Sequence, residues 1–191
     1  MVSGTNPNRV RLTGENNYMR LHSEENGPET TRASHWRVLV SPGGPGHVLF
    51  LKSEITDDQV RIYSDNIAMT RWLQDEILGA GDFKDPDLPV ISAAFSRTGD
   101  ASRFWTELIE SDQEKVSMTW YDFGEPFVTG VAAGSNPERP LGWSSVFVPA
   151  RRAQLTLHDR VATGKAFPEE RADGSHSSTA GLALSETWVR P

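Results

Sequence analysis

The chain has no cysteine among its 191 residues. Disulfides, thiolate metal ligands and cysteine nucleophiles are therefore excluded together. Long apolar runs are also missing. No stretch approaches the ~20 residues that a membrane-spanning helix needs, and Met1–Arg11 has no apolar segment of the kind a secretory leader carries. Basic clusters are scarce as well. Arg151-Arg152 is the longest candidate, and the net charge of −7 with a pI of about 5.2 repels a phosphate backbone. These absences point to an acidic cytoplasmic protein that binds neither nucleic acid nor membrane.

The usual chemical motifs are lacking too. Gly-x-Ser-x-Gly does not occur; Gly142-Trp143-Ser144-Ser145 has no closing glycine and no strand-turn-helix setting. Ser41-Pro42-Gly43-Gly44-Pro45-Gly46 is rich in glycine, but no Lys-Ser/Thr follows and a strand pattern stands where a helix should start. It reads as a loop between two strands. His22, His35, His47, His158 and His176 are scattered, with no His-x-His or His-x3-His pair. The sequence therefore predicts no metal and no cofactor.

What is present is mostly strand. Residues 1–33 are polar, with sparse apolar positions, and read as a loosely structured N-terminal arm, with Arg9–Leu12 or Tyr18–Leu21 as the alternative of a short strand, before a single β-rich domain over 34–191. Ser64-Asp65-Asn66 offers helix N-caps, and Met69, Trp72, Leu73 and Ile77 follow at i, i+3, i+4 and i+8. This predicts one helix over about 65–78, with Arg71, Gln74 and Asp75 outward. Elsewhere, short alternating runs are separated by turn residues: His35–Val40, Val48–Lys52, Gln59–Tyr63, Val90–Phe95, Phe104–Glu110, Val116–Phe123, Phe127–Ala132, Trp143–Val148, Ala153–His158, Arg160–Ala166 and Gly181–Val189. About ten such strands imply a mainly β fold, an antiparallel barrel or two-sheet sandwich with one packed helix.

Two glutamates stand out against apolar strand faces. Side chains two apart share a face of a strand, so Glu107 falls between Trp105 and Ile109, and Glu186 between Leu184 and Trp188. A carboxylate on such a face must be paired, neutralised or open to a wet cavity. In a cavity, either would serve as an acid or base. In a filled core, each needs an arginine, and a one-residue bulge would turn either away. Arg151, in phase with Leu155 and Leu157, is the expected cationic partner. Trp105, Trp120 and Trp188 are the expected walls of a ligand cavity, and Asp122 its mouth, although Trp120 as core and Asp122 as a turn residue fit the same pattern.

Two classes of function follow. One is a binder of a small apolar or aromatic ligand, or a cofactor-independent isomerase, lyase or hydrolase with Glu107 and Glu186 as catalytic residues. The other is a non-catalytic module, a homodimer that binds protein or carbohydrate through edge strands or tryptophan.

Overall fold

The computed structural model describes residues 9–78, 81–170 and 176–191. Its elements run β1 (Val10–His22), β2 (Glu29–Val40), β3 (Gly46–Ser53), β4 (Arg61–Ser64), α1 (Ile67–Glu76), β5 (Val90–Ser92), β6 (Ala94–Asp100), β7 (Phe104–Glu110), β8 (Lys115–Phe123), β9 (Phe127–Val131), β10 (Gly142–Leu157), β11 (Arg160–Val161), β12 (Pro168–Glu170), β13 (His176–Ser178) and β14 (Ala180–Val189). Short 3-10 turns at Glu54–Thr56 and Asp82–Lys84 join them. The main sheet has the order β5-β4-β3-β2-β1-β14-β10-β8-β7-β6, with β9 and β11 attached to β10, while β12 and β13 form a second small sheet.

The sheet curls into a nearly closed, barrel-like wall. Its two end strands, β5 and β6, are separated in sequence by Ala93 alone. One bent segment thus pairs with β4 in its first half and β7 in its second. The Ala93 N–H donates to the Ser64 carbonyl at 3.2 Å, carrying the β4 ladder into the bend. Covalent continuity closes the gap that an open sheet would leave as two edges.

Residues 10–33 depart from the expected loose arm. Val10–His22 is a 13-residue strand that pairs with β14 on one side and β2 on the other. Its few apolar residues suffice because they alternate: Leu12, Met19 and Leu21 are fully buried, and both backbone edges are hydrogen-bonded. Residues 1–8 of the expected arm lie outside the described residues.

Other boundaries shift for local reasons. β10 is one 16-residue strand that runs through Pro149. Pro149 sits where β10 exchanges β9 for β8 as a neighbour, so its missing N–H breaks no ladder, and its carbonyl accepts from Gly124 N–H at 2.8 Å. The expected strand 160–166 pairs only at Arg160–Val161. His176 opens β13, where it pairs with Glu170 of β12.

The wall has an apolar layer on each face. Inside are Met19, Leu49, Leu51, Ile109, Met118 and Trp120 among others. Outside, α1 covers Trp36, Val48, Phe50 and Ile62 with Met69, Leu73 and Ile77. Asn66 caps α1, its side-chain oxygen accepting from Met69 N–H at 3.1 Å. Gln74 faces inward instead of outward. It is 1% exposed, and its Nε2 donates to the carbonyls of Phe83 and Asp85.

Candidate functional site: two buried carboxylates

Glu107, on β7, points into the barrel. Its Oε1 accepts from Trp105 Nε1 at 2.7 Å, Arg97 Nη2 at 3.0 Å and Asn17 Nδ2 at 3.2 Å. Arg97 also donates to Glu15 at 2.6 Å, and its guanidinium lies 4.6 Å from the centre of the Trp105 ring. Burial lifts the Glu107 carboxyl above its ordinary range, and the contacts from Trp105 and Arg97 oppose this. His35 Nδ1 lies 3.9 Å from the same Oε1. Burial, aided by His47, Arg97 and Arg37, pushes His35 down to about 3, so its ring is neutral near pH 7.

His35 stands in an aromatic group with Phe95 and His47, with centroids 5.2 to 6.3 Å apart. His47 reaches the surface and bonds Asp65 at 2.7 Å. Neither nitrogen of His35 nor Asn17 Oδ1 has a hydrogen-bond partner among the described residues. This polar cluster caps a barrel interior occupied by fully buried Met19, Leu49, Met118 and Trp120. Three donors, Arg97 among them, converge on one oxygen and offset part of the cost of burying Glu107, so this carboxyl is held in a structural network.

Glu186 has a different setting. A one-residue bulge in β14 parts it from Leu184. Gly14 and Asn16 of β1 oppose Glu186 and Ala183, while Ser144 and Val146 of β10 oppose Thr187 and Leu184, so both neighbours register the same extra residue. Ser185 takes φ 54° there. Leu184 therefore packs against the inner layer, while Glu186 turns outward with Ala183 and Trp188.

Outward does not mean exposed. Glu186 is 4% exposed, at the floor of a groove of about 420 Å³ beside the end of α1. The walls are Tyr18, Trp36, Trp143, Phe147 and Trp188, with Arg20 and Arg139 also along the groove. Tyr18 stacks on Phe147 at 5.5 Å, and Trp143 on Trp188 at 6.2 Å. Trp188 Nε1 donates to Glu186 Oε1 at 2.6 Å, the one hydrogen bond to this carboxyl among the described residues. Burial pushes Glu186 up to about 7, and only the Trp188 bond works against it. The Trp36 Nε1–H is also buried and has no acceptor among the described residues.

The expected site residues thus fall into three places. Trp105 joins Glu107, and Trp188 joins Glu186. Trp120 is fully buried inside the barrel, donating to the Tyr18 carbonyl at 2.9 Å. Asp122 is exposed with φ 51°, 3.5 Å from Arg152, because the backbone turns there out of the Trp120 face. Arg151 is exposed in a separate cleft with Gly124, Pro126 and His176. The expected pairing of Arg151 with a glutamate is replaced by Arg97 at Glu107 and by no cation at Glu186.

Asn17, His35 and Arg97 were not anticipated, nor were Tyr18, Trp36, Trp143 and Phe147 as groove walls. Asn17 and His35 carry the same signal as Glu107, a polar residue in phase with a buried neighbour on a strand, whereas Arg97 lies on β6, where no residue is buried. These groove residues come from three strands, β1, β2 and β10, whose adjacency no local pattern encodes. Among the described residues no three His, Asp or Glu side chains gather as a metal site. Among them, too, no helix is long and apolar enough to cross a membrane.

Comparison with protein-family models finds no match, and neither the curated proteins nor the solved structures yield one.

Proposed function

We propose that this protein binds a small apolar or aromatic molecule in the outer groove over Glu186. The observation that carries this reading is the conjunction of stacked aromatic walls with a single buried carboxyl at the floor. Its size lies within the range of small-molecule sites, which are mostly apolar with few polar groups. Because Glu186 titrates near neutrality, the same site has a group fit to give or take a proton, as isomerase, lyase or hydrolase chemistry requires. Glu107 lends less support to catalysis, since Arg97, Trp105 and Asn17 already occupy its Oε1.

The test is a titration with 1-anilinonaphthalene-8-sulfonate, followed by dye emission. Saturable binding that weakens at least fivefold in Trp143→Ala supports the groove. Absence of binding, or equal binding by that variant, removes it.

A second reading is a self-associating interaction module. It draws on β9, which among the described residues pairs only with β10 and carries Val128, 78% exposed, opposite the exposed Val146. Sedimentation of the wild type and Val128→Glu separates the two readings. A dimer dissociated by the substitution favours the module.

A further inference from the structure

We infer that the groove selects planar molecules bearing a carbonyl oxygen, which accepts hydrogen bonds from the protonated Glu186 carboxyl and from the Trp36 Nε1–H. The inference rests on the proposed groove function and specifies its ligand class. Of the buried polar groups that line the groove, Ser145 donates to the Leu184 carbonyl at 3.0 Å, while Trp36 and the protonated Glu186 each have a donor to spare. Trp36 is 2% exposed, and its Nε1–H has no acceptor among the described residues. An indole nitrogen can only donate. Glu186 uses Oε1 to accept from Trp188, which leaves Oε2–H free to donate when the acid is protonated.

A buried donor without a partner is costly, so a ligand that supplies an acceptor is favoured over one that supplies another donor. The stacked pairs Tyr18–Phe147 and Trp143–Trp188 select the rest of the molecule, since flat rings fit between flat rings.

Burial favours the protonated form of this acid, which is the dominant form below about pH 7. The charged and titratable side chains on the elements packed around it are Arg11, Glu15, Tyr18, Arg20 and His22 on β1, Glu29, Arg32, His35 and Arg37 on β2, Arg71, Asp75 and Glu76 on α1, and Glu138 and Arg139 before β10; among the described residues Tyr18, Arg20 and Arg139 line the groove with Glu186. Of these, Arg37 pairs with Glu15, and Arg139 donates to the Ile77 carbonyl at 3.0 Å. β9 and the first half of β10 bring no charged residue. None of these cations is a cause of the Glu186 shift. The design resembles an oxyanion site built on a neutral carboxylic acid.

The experiment compares coumarin, a planar bicycle whose carbonyl accepts, with indole, a bicycle of similar size that only donates. Calorimetric affinities are measured at pH 5.5 and 8.5. Coumarin affinity should fall about tenfold as Glu186 ionises, the scale of one net hydrogen bond. Indole affinity should not fall. Glu186→Gln keeps an N–H donor and cannot titrate, so coumarin should bind it tightly at both pH values. Trp36→Phe should weaken coumarin severalfold more than it weakens indole, since both lose wall area but only coumarin loses a donor. Equal coumarin affinity at the two pH values, or a Glu186→Gln profile that copies the wild type, overturns the carbonyl selection while the groove stands. If neither probe binds, the groove reading itself falls.

Discussion

Glu107 and Glu186 lie on opposite faces of one sheet, although each stands two residues from a tryptophan and bonds that tryptophan's Nε1. Both carboxylates are nearly excluded from water, at 2% and 4% exposure. They differ in what compensates the burial. Glu107 has an arginine, and Glu186 has none. Burial therefore has a different consequence at each site, one mainly structural and one chemical.

The first consequence is a pH dependence set by Glu186. Its folded pKa of about 7 lies above the ordinary 4.5. Between these values the folded state holds a proton that the unfolded state has released, so stability falls as pH rises through this window. The full penalty, about 3 kcal/mol at 1.4 kcal/mol per unit, is present only above pH ~7. Glu186→Gln should remove it. Urea unfolding should show the variant more stable than wild type at pH 8 and equal to it at pH 4.5. Equal stability of the two at pH 8 would mean that Glu186 is solvated.

At Glu107 the expectation runs through its partner. Arg97→Met leaves a carboxylate of 3% side-chain exposure without its cation. Breaking a buried pair from one side typically costs about 3 kcal/mol, because the remaining charge is stranded. Arg97→Met with Glu107→Gln should recover much of that loss. A double-mutant cycle in guanidinium gives the coupling directly, and a coupling near zero would show that the two groups act independently.

His35 supplies a dependence of opposite sign. Its folded pKa of about 3 lies below the ordinary 6.5. Below pH 6.5 the unfolded chain takes up a proton that the folded chain refuses, so stability is lost as pH falls from about 6.5 toward 3. His35→Gln should flatten this acid limb. The comparison is cleanest in a Glu186→Gln background, where the opposing titration is gone. Midpoints of thermal unfolding at pH 4 and pH 7 decide it: a variant whose drop matches the parent's places the acid sensitivity elsewhere.

Strand alternation made the fold class and Glu107 legible. The period-two rule needs only local sequence, and burial of Trp105, Glu107 and Ile109 on one side follows from it. The same rule misplaced Glu186, because a bulge is set by what two neighbouring strands require, not by the residues of β14 alone. β1 was underrated for a related reason. Its polar residues Asn17 and Glu15 read as solvent-seeking, yet their partners Glu107 and Arg97 are 90 and 82 residues away. The helix was legible because cap and stripe are both local, whereas inward-facing Gln74 depends on the fold-back of the chain after the helix, which brings the Phe83 and Asp85 carbonyls to it.

Gly14 tests the bulge itself. It sits opposite Glu186, at the register shift, and a Cβ there would stand 2.2 Å from the Arg37 carbonyl oxygen. That oxygen belongs to the β2 backbone, which cannot swing aside as a side chain could. Gly14→Ala must therefore part β1 from β2 or undo the shift. Overpacking of this kind costs about 1–3 kcal/mol. Because the shift places Glu186 in the groove, the variant should also lower the Glu186 pKa by readmitting water. Carboxyl titration followed by NMR reads this apart from the loss of stability. A Gly14→Ala protein that is destabilised but keeps the Glu186 pKa near 7 would mean that β14 holds its bulge without help from β1.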